Sequence, residues 1–448
     1  MADEFMSNAA NHNVSAAHTN FAGRLTQSLP LSRADGLPGH VARAPAAPFC
    51  ETPAQRMASD TDALQFPREP IRQIRHIYVH IPFCARICPY CAFYKDLLDR
   101  SQTWRFCEAI LRELEYQRAA FCSSPRRQLD QASLCPATIY FGGGTPTALT
   151  TEQLQFLLGG FLERLDLSHL EEWTMEANPG SVSARKAALL RSLGVTRLSL
   201  GVQSWDEGLL QLLGREHSAA QAVQTFHLLR AAGFTNINID LMFGLPGQTI
   251  EQWKLTLEKT IALGPDHISA YCLTYEADTE FFLRHARGEF CQHADADADF
   301  FEVAMAMLES AGYEHYEISN YARPGFASIH NRAYWLGEDY LGIGPSAVST
   351  LGKQRWQNVC DYRSYIDSAL SGQSAVGSRE DLTSEMKRME RIALSLRTCD
   401  GVSASDLEHF AQQTNELVAL GLLRESKGNF TLTRRGKALA DSVAEAFL

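Results

Sequence analysis

From about residue 75 the chain alternates short runs rich in β-branched and aromatic residues with longer stretches of helical periodicity. Six runs read as strands, at 76–81, 137–141, 172–177, 197–202, 236–241 and 267–272. Between them lie helix-compatible segments: 104–120 with Leu111, Leu114 and Tyr116 in register, a stretch carrying Leu154, Leu157, Leu158 and Phe161, then 184–193 and 219–232. Strands alternating with helices imply βαβ units, right-handed crossovers and a parallel sheet. Six repeats without a GxGxxG turn predict an α/β fold of the partial (βα)6, TIM-like barrel kind rather than a dinucleotide-binding sheet. Barrel sites gather at the carboxyl ends of strands. The unusual residues stand there: a cysteine cluster after the first strand, glycines after the second, Glu176 closing the third, Gln203 after the fourth and Asp240 closing the fifth.

The two ends of the chain follow other patterns. Residues 1–70 are rich in Ala, Asn, Ser and Pro without periodicity and read as a flexible extension. No apolar run follows the start, so a secretory signal is not expected. Arg24, Arg33, Arg43 and Arg56 are spaced as in a transit peptide, but Asp3, Glu4, Asp35, Glu51, Asp60 and Asp62 oppose that reading, and the cytoplasm is the expected location. The barrel is expected over 71–300, and a region covering it over 301–377. From 378 a helical stretch with Met389, Ile392, Ala393 and Leu396 leads to a second apolar helix, a short hairpin around Gly428–Leu432 and a closing helix, the order of a winged-helix-like domain.

Composition narrows the class. Of 448 residues, 45% are hydrophobic and 21% charged, an ordinary globular balance that excludes disordered and collagen-like chains. The net charge of −11 argues against a protein that coats nucleic acid, and the near-even charge of 378–448 argues against a DNA-reading winged helix. No stretch approaches eighteen consecutive apolar residues, so no transmembrane segment is expected, with transient membrane association left open.

Eleven cysteines in so long a chain do not suggest a disulfide framework. Eight are scattered, and three form Cys84-xxx-Cys88-xx-Cys91. Three thiolates this close suit a soft metal centre, either an iron–sulfur cluster with one open iron or a zinc ion completed by His80. Pro82 and Pro89 place them on a loop rather than in a core. Gly142, Gly143, Gly144 and Thr145 leave room for close backbone approach, or make a tight turn. Glu176 can hold an ammonium or hydroxyl, Gln203 and Asp240 can meet sugar hydroxyls, and Arg215 can fork onto a carboxylate. Each of these polar residues, taken singly, also fits a structural role. His330-Asn331-xx-Tyr334-Trp335 sets an imidazole beside two aromatics, a group suited to a flat porphyrin and its iron, or to an ordinary core.

The run from Tyr78, His80 and Cys84 through Tyr90, Cys91 and Phe93 resembles the radical SAM superfamily. Within it, the chain is similar to the branch holding oxygen-independent coproporphyrinogen III dehydrogenase and the haem chaperones called HemW, over roughly 75–448. The resemblance implies a [4Fe-4S] cluster on Cys84, Cys88 and Cys91. It also implies an S-adenosylmethionine site made of Tyr78, Gly143, Gly144, Thr145, Glu176, Gln203, Arg215 and Asp240, and a 5′-deoxyadenosyl radical formed by reductive cleavage. The dehydrogenases carry a fourth cysteine where this chain has Phe93, and HNxxYW looks like the chaperone signature. A haem chaperone without dehydrogenase activity is therefore expected, with His330 as candidate haem ligand, haem-accepting proteins and an electron donor as partners, and no nucleic acid. The alternatives are the coproporphyrinogen III dehydrogenase itself or another radical enzyme acting on a tetrapyrrole.

Overall fold

The computed structural model describes residues 74–122, 134–291 and 294–448; the extension expected over 1–70 lies outside them. Strands β1 (His76–Ile81), β2 (Thr138–Gly143), β3 (Glu172–Ala177), β4 (Arg197–Gln203), β5 (Ile237–Phe243) and β6 (His267–Cys272) lie side by side in chain order, all parallel. Helices α1 (Thr103–Cys122), α2 (Thr151–Arg164), α3 (Ala184–Ser192), α4 (Ala219–Ala231) and α5 (Ile250–Leu263) make the crossovers. Three start with the same device. Thr150, Ser218 and Thr249 cap α2, α4 and α5, and Gln153, Gln221 and Gln252 return the bond to the cap backbone.

Strand residues alternate in kind. One face of the sheet carries Ile77, Val79, Ile139, Phe141, Trp173, Met175, Leu198, Leu200 and Ile239, all fully buried in the main core. Each such side chain contributes about 1.5–3 kcal/mol through burial. The other face carries His76, His80, Thr138, Tyr140, Glu172, Glu176, Arg197, Ser199, Asn238, Asp240, His267 and Ser269. Apolar residues thus meet the crossover helices, and polar ones line the lumen of the partial barrel.

The sheet does not stop at six strands. β7 (Glu314–Glu317) and β8 (Asn320–Ala322) add antiparallel to β6. At the other edge, β9 (Tyr340–Ile343) pairs parallel with β1, and β10 (Val348–Leu351), β11 (Gln354–Asn358) and β12 (Val376–Asp381) follow as an antiparallel meander. The twelve strands run in one linear order from β12 to β7. Most of the segment 301–377, expected to cover the barrel, extends the barrel sheet, and residue 378 lies inside β12. The strands of this segment are three to six residues long, too short to show a period of their own.

Helices α6 (Ala294–Ser310), α7 (Ile329–Trp335), α8 (Tyr362–Leu370) and α9 (Ser384–Leu396) complete the shell. Beyond them β13 (Val402–Ser403), β14 (Leu423–Ser426) and β15 (Asn429–Leu432) form a small antiparallel sheet, of which β14 and β15 make a hairpin. Arg434 fastens this unit to α6 through Glu302 at 2.6 Å and Glu309 at 2.8 Å.

Glu113 of α1 joins the added strand β9 to the barrel. Its buried carboxylate accepts from the Gly344 N–H (2.8 Å), the Asn358 side-chain amide (2.7 Å) and the Tyr365 hydroxyl (2.6 Å). Glu113→Ala strands those buried donors and is expected to lower stability by about 3 kcal/mol, with Glu113→Gln losing less. Equilibrium urea unfolding of the three proteins checks this; equal midpoints would refute it.

Candidate functional site

The cysteine loop is set by backbone contacts on both sides. Leaving β1 at Ile81, the chain pairs Phe83–Cys84 with Asp96–Leu97. The N–H groups of Gly144 and Thr145 donate to the carbonyls of Ile81 and Phe83, each at 2.8 Å. Phe83 is buried with ring contacts to Phe106 (4.9 Å) and Tyr362 (5.3 Å). Farther along, the Cys91 N–H turns back to the Cys88 carbonyl at 3.2 Å, and Lys95 holds the Cys91 carbonyl. The Cys84 sulfur lies 3.6 Å from the Thr145 hydroxyl, and the Cys88 sulfur 3.7 Å from Arg215 Nη1. Burial pushes the Cys84 thiol up to about 11 and raises Cys91 as well. Free thiolates are therefore disfavoured here, and a bound metal centre would have to supply the compensating charge.

A zinc site would need His80, and His80 is turned elsewhere. Its Nδ1 meets the Tyr78 hydroxyl at 3.1 Å, and its Nε2 meets the Tyr94 carbonyl at 2.9 Å. Among the described residues no trio of His, Cys, Asp or Glu side chains is gathered tightly enough for a single ion.

Cys84, Cys88 and Cys91 line the mouth of a cavity of about 220 Å³ that descends into the barrel lumen. Gly143, Gly144, Thr145, Glu176, Gln203, Arg215 and Asp240 line it too, so the structure brings these together with the cysteines. Glu176 accepts from the Tyr140 hydroxyl (2.7 Å) and the Gly143 N–H (3.1 Å); burial first, with the Asp240 charge adding to it, lifts its carboxyl to about 7. Asp240 is held by Ser199 and by the Asn238 amide at 2.7 Å, and burial raises its pKa. Arg215 donates to Asn178 Oδ1 (2.5 Å) and the Gly201 carbonyl (2.6 Å), while its buried Nε has no partner. Gln203 sits at a bulge with φ +70, a strained conformation for a residue other than glycine.

The glycines have an internal cause as well. A Cβ on Gly143 would fall 2.5 Å from the His80 ring, and one on Gly144 2.6 Å from the Pro82 backbone. The turn is therefore packed against the protein's own loop before any ligand enters.

Two expected residues are placed apart. The Tyr78 hydroxyl is engaged with His80, and Tyr78 is not among the described residues that line the cavity. His330 is also absent from that lining; it is buried, its Nδ1 lies 2.7 Å from the Thr138 hydroxyl, and its ring packs 5.1 Å from that of Tyr140. Burial lowers its pKa to about 3, so the ring is neutral. Its neighbours Ser328 and Asn331 do reach the cavity. Residue-by-residue reading also passed over Tyr140, Asn178, Ser199 and Asn238. Their signal was position: Asn178 follows Glu176 by two, and the others stand on inward-facing strand positions.

Residues 78–260 match the model of the Radical SAM superfamily. The heme chaperone HemW of Lactococcus lactis is 36% identical over 381 residues, 83% of this chain and 96% of that protein. The chain belongs to the HemW family of the radical SAM superfamily. HemW of Bacillus subtilis is 34% identical over 386 residues, covering 84% of this chain and 99% of its own length. A Bos taurus relative, the mitochondrial radical S-adenosyl methionine domain-containing protein 1, is 32% identical over 410 residues, 86% of each chain. The structure of coproporphyrinogen III oxidase (HemN) from Escherichia coli, a radical SAM enzyme, matches with a TM-score of 0.71 at 24% identity, covering 84% of this chain and 90% of that one; the two share a fold. A radical SAM site carries a [4Fe-4S] cluster and S-adenosylmethionine. The three thiols, the buried carboxyls and the unpartnered Arg215 Nε form a donor set that fits them. No helix among the described residues is long and apolar enough to cross a membrane.

Gly144→Ala is expected to displace the cysteine loop at Pro82, cost about 1–3 kcal/mol of stability and lower bound iron severalfold after anaerobic reconstitution. Iron and sulfide analysis decides it; full iron content would refute the packing account.

Proposed function

We propose that this chain is a haem chaperone of the cytoplasm, binding haem, a [4Fe-4S] cluster and S-adenosylmethionine and passing haem to acceptor proteins. The observation that carries the reading is end-to-end similarity to proteins named heme chaperone HemW, 96% of one and 99% of another being covered. Phe93 supports it: the ring lies 37% exposed at the cavity rim, with no thiol where the dehydrogenase pattern requires one.

In this reading Cys84, Cys88 and Cys91 hold the cluster, which supplies an electron when S-adenosylmethionine is cleaved. Gly143, Gly144 and Thr145 meet the methionine end of the cofactor. Glu176 takes its amino group, Arg215 its carboxylate through the free Nε, and Gln203 and Asp240 its ribose; Tyr78 acts behind them through His80. His330 belongs to the same motif as Asn331, which lines the cavity, and its ring is engaged with Thr138, so binding haem iron would require that contact to open. The second reading, coproporphyrinogen III dehydrogenase, has the shared fold in its favour.

Purified wild type should bind haem and form no protoporphyrinogen under anaerobic turnover with reductant and S-adenosylmethionine. Absence of haem binding sinks the first reading, and product formation establishes the second. Cys84→Ala, Cys88→Ala and Cys91→Ala should each abolish the iron–sulfur absorbance; retention of full cluster content in all three contradicts the ligand assignment.

Because Glu176 takes up a proton near pH 7, its anionic form is lost below that point. Affinity for the cationic amino group of S-adenosylmethionine should therefore fall as pH drops from about 8 to about 6, by about tenfold per unit at most. Calorimetric titration of the cluster-loaded protein should show this slope, and Glu176→Gln should flatten it.

A further inference from the structure

A second cavity, about 340 Å³, shares the cysteine loop but none of the lumen residues of β5 and β6. Arg86, Cys88, Thr145, Asn178 and Arg215 line both cavities, so Cys88 stands in the wall between them. The other walls are the loop after β3 (Pro179, Gly180, Ser181) and the segment Gly214–His217. This basin is basic in an acidic chain. Arg86, Arg100 and Lys186 line it with Glu216 as the single acid, whereas the whole chain carries −11. Arg86 and Arg100 are exposed and make no ion pair among the described residues. Lys186 is fixed in the wall by the carbonyls of Thr147 (2.6 Å) and Ser181 (3.0 Å).

These features serve poorly as a small-ligand site, because the two arginines face solvent at the rim rather than enclosing a volume. They suit a macromolecular face. Opposite charge steers encounter and fixes register, and a partner seated here would meet the wall formed by Cys88 without entering the S-adenosylmethionine cavity.

We propose that this basin is the docking face for a one-electron donor protein whose redox group is ringed by acidic side chains. The inference rests on the cluster reading above. One electron leaves the donor's reduced flavin or iron–sulfur group, which is oxidised by one electron. A [4Fe-4S] cluster held by Cys84, Cys88 and Cys91 would accept that electron, going from 2+ to 1+. No bond forms or breaks, and no proton moves.

The test uses the full chain with its cluster, and flavodoxin as the acidic probe. Arg100→Glu is the variant, since Arg100 lies outside the S-adenosylmethionine cavity and no side-chain bond of its own is lost. Oxidised flavodoxin should bind wild type with an affinity that falls steeply with salt, and Arg100→Glu should weaken binding at low salt by about tenfold. Reduction by flavodoxin hydroquinone, followed by the electron paramagnetic resonance of the reduced cluster, should slow by about the same factor. Reduced methyl viologen, a small cation, should reduce both proteins equally well, showing that the cluster is intact. If Arg100→Glu assembles less cluster, the neutral Arg100→Gln should give an intermediate loss of flavodoxin binding, which needs no cluster to be measured. Binding and reduction within about twofold of wild type in both variants would overturn the docking face. So would capture of free flavin mononucleotide in the basin with flavodoxin binding unchanged by Arg100→Glu. A wild type that takes up no haem yet shows salt-sensitive reduction would sink the chaperone reading and uphold the docking face.

Discussion

Burial of a polar strand face is the constraint on which the molecule turns. Six parallel strands place their apolar residues under the crossover helices and turn histidines, acids, amides and hydroxyls into the lumen. A buried polar group without a partner costs about 1–3 kcal/mol, so the lumen satisfies itself wherever it can. Tyr140 binds Glu176, Ser199 and Asn238 bind Asp240, and Asn238 passes the network to His267, whose other nitrogen meets Tyr316. Side chains tied in this way cannot swing to suit a ligand. The cavity is thus preorganised for the same reason that the barrel is stable.

Electrostatics in this lumen follow from burial more than from charge pairing. His80, His267 and His330 are all driven toward the neutral ring by desolvation. Glu176 and Asp240 are held toward the protonated form. Arg215 stays cationic beside Cys88. A cationic group brought against Glu176 and Asp240 would favour their ionised forms.

Much of this was legible in the letters. The six strands, their sequence and the residues at their ends needed only short β-rich runs separated by helical ones. The cysteine spacing needed only counting. What escaped depended on contacts between residues far apart in the chain. Strands β9 to β12 are short, and β9 joins β1 as a parallel neighbour from across the chain, a pairing that local periodicity does not carry. The surroundings of His330 depend on Thr138 and Tyr140, two residues on a strand nearly two hundred positions earlier, which hold its ring. The glycine triplet was read toward a ligand, while its first demand is for space beside His80 and Pro82.

The pairing of β1 with β9 also orders events in time. His76 through Val79 hydrogen-bond on one side to β2 and on the other to Tyr340–Ile343. During synthesis the strand that launches the cysteine loop emerges early, yet one of its two neighbours comes only after most of the barrel has been made. Until then β1 is an exposed sheet edge, and the three thiols hang from an unfinished support. Metal loading that waits for β9 would meet a fixed loop, whereas earlier loading would meet a moving one. The support of the cysteine loop is thus complete only when a strand from far down the chain has paired with β1.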